Sequence, residues 1–418
     1  SLSIRPMAPT RRFAGADVDP QAAGKELEAT RILAGHFLPE AGNLQVTVEV
    51  IDTKANSLVW RDSVTAPADD LIGLRERLSE SLRSGLLPLL GVAHAPAAGT
   101  TRPTNPEAYA LYLRAAALDS DPEPTKQAIA LLDQAVSLDP DFAPAWSELG
   151  RRLFHDGYYS DGGQAAFDRG KKSVERALQL DPGLRQAAGL LILRKVEEHD
   201  LAGALDEVDA LVRSSPDSAQ ALFAQSYVLR YAGLIDESGR ACDKALALDP
   251  RNREWRSCAL TFIQQGNYAH ARDFTGLDST SQWSRNVDSL ILQHQGQREQ
   301  ALEMLDSITE PPMEAFVSAQ RACVEGSTPP PPELVSKLVE GTLKISDPEP
   351  KYWIAVRLAS CGLDDAVLRL LRAAVEGNFL CYPAMDHEPS FERIRDRPEF
   401  AAIRKTAIEK QKEIVAKR

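Results

Sequence analysis

The spacing of hydrophobic residues changes from a strand period to a helix period within the first ninety residues. Residues 44–50 alternate leucine or valine with polar residues, which predicts a half-buried strand. In residues 69–87, leucines recur at intervals of three and four, which predicts an amphipathic helix. Further strands are predicted at residues 1–7, 31–38 and 58–64, and Asp19-Pro20 begins a helix. The order β-α-β-β-β-α indicates a small α+β domain over residues 1–90.

A tripeptide ending in proline recurs in the following part of the chain. Leu-Asp-Pro stands at 138–140, 180–182 and 248–250, and Ser-Ser-Pro replaces it at 214–216. The last two steps are 34 residues each (182 to 216 and 216 to 250), and the first is 42 (140 to 182), or one step plus eight. We assign the eight to an insertion at about residues 154–164, which we expect to lengthen a turn between two helices.

Small residues occupy fixed offsets before each proline, as at Gly150, Gly170, Ala177, Ala204 and Ala245. With the period of 34 and the terminal proline, these residues resemble the tetratricopeptide repeat closely over about 105–310. The resemblance implies pairs of antiparallel helices that stack because each pair leaves an apolar face uncovered, and the stack offers a concave surface. We therefore predict a mostly α-helical fold, an α-α superhelix (solenoid) of tetratricopeptide type that follows the small α+β domain.

The predicted domain limits follow from these patterns. Residues 91–105 are rich in Ala, Pro, Gly and Thr and read as a linker. The solenoid spans 106–310, degenerate helical pairs span 311–385, and capping helices span 386–418.

The first 85 residues resemble the second half of a TolB amino-terminal-like domain. The similarity lies in residues 19–27 (DPQAAGKEL), 32–35 (ILAG), 44–52 (LQVTVEVID) and 58–60 (LVW). The family's opening strand and helix would precede Ser1, so we expect this chain to be a fragment. The resemblance implies a bacterial multidomain regulator, in which a serine/threonine kinase, a nucleotide cyclase or a winged-helix domain often lies upstream, frequently with a membrane helix between.

Charge and hydropathy narrow the possible partners. With 60 acidic and 48 basic residues the net charge is -12, which argues against non-specific nucleic-acid binding. No apolar run approaches the ~18 residues of a membrane span. The compartment, cytoplasmic or periplasmic with a possible tether, and the oligomeric state stay open.

No constellation typical of catalysis or metal binding is evident. The seven histidines are scattered, and His155-Asp156 falls in the insertion, where we interpret it as chance or capping. The five cysteines show no zinc-type spacing, and Cys242 and Cys258 occupy packing positions typical of buried free thiols. We expect a non-enzymatic protein without cofactor or metal.

The repeat family places certain positions of each first helix in the concave groove. Carried over to this chain, those positions are Arg151, His155, Gln186, Gln220, Phe223, Tyr227, Arg230, Tyr231, Arg253 and Arg256. Phe223, Tyr227, Arg230 and Tyr231 share one helix face, since they lie at i, i+4, i+7 and i+8. Aromatic anchors with arginines suit a protein or peptide carrying carboxylates. We expect Tyr227 and Arg230 to contribute to binding and not to stability; the alternative is that the aromatic residues pack against the next repeat.

Three functions are compatible with these patterns. The first is a non-enzymatic interaction scaffold, the sensory or docking region of a bacterial regulator. The second is the accessory region of an enzyme or transcriptional regulator whose active domain lies upstream. The third is a small-molecule or glycan receptor with Tyr158 and Tyr159 of the insertion as a lid.

Overall fold

The computed structural model describes residue 13 and residues 18–91, 102–118, 122–309, 313–326 and 330–418, without the side chains of 159 and 313–316. The strand predicted at 1–7 and most of the predicted linker lie outside the described residues. The chain forms two compact units, Ser1–Ala188 and Gly189–Arg418. Their division falls inside a helix and not at a predicted limit, so the predicted limits remain predictions.

The first unit begins with a small antiparallel sheet, which is preceded and followed in the chain by a helix. Its elements in chain order are α1 (Pro20–Glu26), β1 (Arg31–Glu40), β2 (Asn43–Asp52), β3 (Ser57–Pro67) and α2 (Leu71–Ser81), followed by further helical turns at Leu82–Leu86 and Leu87–Leu89. The strands lie in the order β1-β2-β3. Asp19 caps α1 as predicted, since its carboxylate accepts a hydrogen bond from the Gln21 N–H at 2.9 Å. Val48 and Val50 of β2 are buried, in agreement with the alternating pattern.

Two helix pairs complete the first unit. They are α3 (Pro106–Ala117) with α4 (Pro122–Leu138), and α5 (Ala143–Tyr159) with α6 (Gly163–Leu180). Glycines let α5 and α6 approach closely, because a Cβ on Gly150 would lie 2.9 Å from the Gly170 carbonyl oxygen. The small residues therefore mark the helix contact, as the repeat pattern predicted.

The insertion is helical, and the prediction that it lengthens a turn was wrong. Helix α5 continues to Tyr159 and α6 begins at Gly163, so only residues 160–162 connect them. The extra residues lengthen α5 and α6, because the added segment continues the face along which these two helices pack. Phe154 and Ala166 on this face are buried. His155 and Asp156 accordingly lie on a helix and not in a loop.

The second unit consists of helices. After α7 (Arg185–Glu197), which crosses the division, they are α8 (Leu201–Ser214), α9 (Ala219–Tyr231), α10 (Ile235–Leu248), α11 (Ala259–Gln264), α12 (Tyr268–Thr275), α13 (Gln282–His294), α14 (Arg298–Asp306), α15 (Met313–Glu325), α16 (Pro332–Lys344), α17 (Glu349–Ala359), α18 (Asp364–Glu376), α19 (Tyr382–His387) and α20 (Pro398–Lys417). Short 3-10 turns stand at Arg253–Cys258, Gly276–Asp278 and Pro389–Phe391. Helix pairs are α9/α10, α11/α12, α13/α14 and α17/α18. The predicted fold class is confirmed in its architecture: the described residues are mostly helical, with successive helix pairs after a small three-stranded sheet.

The recurring Leu-Asp-Pro tripeptide has a structural role at the corners between pairs. Asp139 is buried and accepts hydrogen bonds from the Thr104 and Asn105 N–H groups at 2.6 and 3.1 Å. The indole N–H of Trp146 donates to the carbonyl of Pro140, six residues earlier, at 2.9 Å. Trp255 repeats this contact with the carbonyl of Asp249 at 3.0 Å. The motif thus satisfies backbone groups at helix ends, which would otherwise be unpaired.

The end of the second unit packs back on its beginning. The Leu380 N–H donates to the Tyr231 carbonyl at 2.7 Å, and the Gln411 side-chain amide donates to the Ala232 carbonyl at 2.8 Å. Arg418 pairs with Asp209 at 2.7 Å. Residues 386–418, predicted as a cap, therefore contact α8, α18 and the residue that follows α9.

Four of the five cysteines are paired, so the prediction of free thiols at Cys242 and Cys258 was wrong. These two form a disulfide, and Cys323 and Cys361 form another. Cys381 is a buried free thiol whose pKa is raised by burial. Burial of Cys242 and Cys258 was correctly expected, but sequence spacing does not tell which helix faces bring sulfur atoms together.

Candidate partner-binding site

The predicted binding face of α9 divides into an accessible part and a buried part. Phe223 and Tyr227 are half-buried, whereas Arg230 and Tyr231 are both 0% exposed. Phe223 packs on Trp255, with ring centres 4.7 Å apart. The prediction that Arg230 and Tyr231 line an open groove was wrong, because the second unit covers both side chains with its own residues.

Arg230 is held by an internal carboxylate. Its Nε and Nη2 donate to the two oxygens of Glu349 at 2.7 and 3.0 Å, a bidentate geometry. The indole N–H of Trp353 also donates to Glu349, at 3.2 Å. Burial acts to lower the pKa of Arg230, but the Glu349 carboxylate outweighs it, so this pKa lies above its ordinary value. The arginine–carboxylate chemistry expected for a partner is thus present, with the carboxylate supplied by the chain itself.

A chain of hydroxyl and carboxyl groups runs beside this pair. The Tyr231 hydroxyl donates to Asp347 at 2.7 Å and lies 3.0 Å from the Tyr227 hydroxyl. The Tyr227 hydroxyl donates to Glu197 at 3.1 Å. Burial, together with the negative charges of Glu197 and Glu349, raises the pKa of Asp347 to about 8. Burial among like charges thus disfavours the ionised form of Asp347.

The other residues of the predicted site in the second unit remain accessible. They lie on α9 and on the 3-10 turn Arg253–Cys258, which follows α10. Gln220 and Arg253 are exposed. Arg256 is half-buried, forms an ion pair with Asp278, and places its guanidinium 5.2 Å from the ring centre of Trp283. We call Gln220, Phe223, Tyr227, Arg253 and Arg256 the aromatic–basic face.

The predicted residues of the first unit are mostly engaged in local contacts. Arg151 is half-buried and donates to Glu148 at 2.8 and 2.6 Å. Burial acts to raise the pKa of Glu148, but Arg151 and Arg152 hold it below its usual value. His155 is half-buried and Gln186 is exposed.

The predicted lid residues lie at the end of α5. The ring of Tyr158 packs edge-on against Phe167 of α6, with centres 4.8 Å apart. The side chain of Tyr159 is outside the described part. Because Tyr158 contacts the next helix, it is a packing residue here and does not stand free as a lid.

Two further observations concern chemistry and membranes within the described residues. No group of three or more histidine, cysteine, aspartate or glutamate side chains is arranged to hold a metal ion. None of the described helices combines the length and the apolarity required to cross a bilayer.

Residues at the site that sequence reasoning missed are Glu197, Asp347 and Glu349. Asp347 and Glu349 follow α9 by more than a hundred residues, and no sequence period relates them to it. The only sequence indication is that an arginine and two tyrosines on one helix face require polar partners if that face is covered.

Comparison with known proteins gives matches among solved structures alone. No family model matches the chain, and no curated protein matches it. A structure of MamA of AMB-1 is 22% identical and aligns with a TM-score of 0.27 over 42% of this chain and 91% of that chain. For MamA of MSR-1 the values are 21%, 0.28, 41% and 94%, and for MamA of Desulfovibrio magneticus RS-1 they are 19%, 0.26, 37% and 85%. TM-scores this low carry no inference about function.

Proposed function

We propose that this protein is a non-enzymatic protein-interaction scaffold. The observation that supports it best is the aromatic–basic face, where accessible aromatic rings and arginines stand on a framework of paired helices. Aromatic residues and arginine are the side chains that most often dominate binding energy at protein interfaces. The rings of Phe223 and Tyr227 are fixed from behind by Trp255 and Tyr231, so little side-chain entropy is lost on binding.

The chemistry of this face defines the partner class. Arg253 is exposed, and Arg256 directs its guanidinium to the ring of Trp283. Because Arg256 is already paired with Asp278, a peptide that offers a carboxylate to Arg253 and an apolar side chain to Phe223 fits this face. We propose an acidic peptide segment with an aromatic or aliphatic anchor as the ligand.

Selection from a library of linear peptides, followed by fluorescence anisotropy with the whole chain, tests this proposal. We expect selected peptides to be enriched in Asp, Glu and aromatic residues. Combined Phe223→Ala and Arg253→Glu substitutions should weaken them by at least about tenfold. Arg240→Glu is the matched control, because Arg240 is an exposed arginine on α10, outside the face. Failure to select any saturable peptide, or equal loss in the control, would overturn the proposal.

We further propose that the scaffold is the docking region of a bacterial regulator. The support is the α-β-β-β-α order of residues 20–81 ahead of the helix pairs, together with the TolB-like residues of that segment. In the native host, the Phe223→Ala and Arg253→Glu chain should then alter a transcriptional or signalling output. An unchanged output with a stably produced variant would argue against a regulatory role.

We also propose that the second unit works in an oxidising compartment. Two disulfides within one helical unit support this, because thiols of reducing compartments are kept reduced. Alkylation tests the compartment. Intact cells are treated with a thiol-alkylating reagent, and the protein is then denatured in its presence without reductant. Four of the five cysteines should remain unmodified. Five reactive thiols under those conditions would place the unit in a reducing environment.

A further inference from the structure

A pocket in the second unit lies apart from the aromatic–basic face. It has a volume of about 580 Å³ and lies between the end of α12, the middle of α13 and α14. Its lining includes Thr275, Asp288, Leu292, Gln300, Glu303 and Met304. This pocket is an open depression, so it can admit one side chain from outside the molecule.

Asp288 is a partly buried carboxylate in the lining of this pocket. It is half-buried on α13, between the buried Val287 and Leu290. The Thr275 hydroxyl donates to its Oδ1 at 2.7 Å, which fixes the orientation of the carboxylate. Burial raises the pKa of Asp288, while the hydrogen bond from Thr275 and the charge of Arg272 act in the opposite direction.

The carboxylate has no ion-pair partner within 4 Å among the described residues. Arg272, which also lines the pocket, is exposed and does not reach this distance. Most other partly buried carboxylates of the chain differ in this respect, as Glu349 and Glu148 show with their arginines. A partly desolvated carboxylate in a cavity favours a cation that replaces the lost solvent.

The walls of the pocket also favour a ligand with an apolar part. Leu292 is 5% exposed and Met304 is half-buried, so both offer apolar surface beside the carboxylate. Glu303 and Gln300 of the lining are exposed and carry further hydrogen-bond acceptors. A ligand that fits has an apolar stem of several methylene groups and a cationic head, as lysine and arginine side chains do.

We propose that the Asp288 pocket binds a cationic side chain of a protein partner, with its stem between Leu292 and Met304 and its head on Asp288. That the cation belongs to a protein rests on the proposed function, but the preference of the pocket for a cation does not.

N-acetyl-L-arginine amide is the probe, measured by saturation-transfer NMR and by calorimetry with the whole chain. N-acetyl-L-citrulline amide, which has the same shape without the charge, is its control. We expect saturable binding of the arginine compound that is at least about tenfold tighter than binding of citrulline.

Asp288→Asn keeps an acceptor for Thr275 and removes the charge, so it should reduce binding of the arginine compound to the citrulline level. Glu299→Gln removes an exposed charge from α14 outside the pocket and should leave binding unchanged. Equal binding of the two compounds, or undiminished binding by Asp288→Asn with a native melting curve, would overturn the proposal. If the arginine compound fails while library peptides still bind the aromatic–basic face, only this inference fails. If it binds and no peptide does, the proposed function fails and the pocket stands.

Discussion

Arg230 and Glu349 are separated by 119 residues and meet in a bidentate, fully enclosed ion pair. The guanidinium is 0% exposed, and it also lies 4.7 Å from the ring centre of Tyr227. The pair therefore connects α9 to α17 inside the second unit. A side chain predicted to recognise a partner instead determines how one part of the unit packs on another.

Arg230→Ala should destabilise the protein strongly. Removing one member leaves Glu349 buried without a counter-charge, which typically costs about 3–5 kcal/mol. Chemical denaturation followed by circular dichroism measures this change. Arg321→Ala is the control, since Arg321 pairs with Asp306 on the surface and its loss should lower the stability far less. Equal effects of the two substitutions would show that the Arg230 pair is not a core contact.

The stability of the second unit should fall as the pH rises through the region where Asp347 ionises. Its pKa is about 8 in the folded protein and about 4 in the unfolded chain. Between these values the folded state binds more protons, so the free energy of unfolding decreases with increasing pH. Melting temperatures measured from pH 5 to pH 9 should therefore decline.

Asp347→Asn isolates this effect. The amide is neutral at every pH, so the variant should show a flatter pH profile and should gain at least about 2–4 °C over the native protein at pH 8–9. Asp217→Asn, at an exposed position, should retain the native profile. A native profile for Asp347→Asn would exclude Asp347 as the titrating group.

Reduction of the disulfides should lower the melting temperature of the second unit. The Cys242–Cys258 bridge closes a loop with a sequence separation of 16, for which the chain-entropy model gives about 3 kcal/mol. The Cys323–Cys361 bridge, with a separation of 38, contributes a similar or slightly larger amount in that model. Calorimetry with and without dithiothreitol measures the difference, and a chain with Cys381→Ala should respond like the native one. An identical transition after complete reduction would contradict the expectation.

Gly150→Val should destabilise the first unit because α5 and α6 touch at this residue. A new Cβ would lie 2.9 Å from the Gly170 carbonyl oxygen, so the helices must separate, at about 1–3 kcal/mol or more. Gly341→Ala in α16 is the control and should not destabilise the protein, since nothing lies within 4 Å of the added carbon. That variant should be neutral or gain up to about 1 kcal/mol in unfolding experiments. Comparable losses in both variants would mean that the close contact is not the cause.

Local patterns in the sequence predicted local structure well. The alternating residues of β2, the cap at Asp19 and the glycines of the α5–α6 contact all depend on neighbours or on one repeat step, and the structure confirms them. The regular period also predicted successive helix pairs. These features are visible in sequence because strand and helix periodicities act over a few residues.

The covering of α9 was not predictable in the same way. Glu349 and Asp347 belong to no repeat of the motif in which Arg230 and Tyr231 stand, so no spacing relates the two groups. The pairing of Cys242 with Cys258 depends on the relative rotation of α10 and the next turn, which composition does not specify. The Asp288 pocket was missed because a single aspartate on an apolar helix stripe has no motif.

The contact of Arg418 with Asp209 spans 209 residues of chain. During synthesis, α8 leaves the ribosome long before α20 is made. The part of α8 that contacts α20 therefore stays exposed until the end of the chain has been synthesised. Loops of this length close slowly, so assembly of the unit is expected to be a late, all-at-once event and not a progressive growth from one pair to the next.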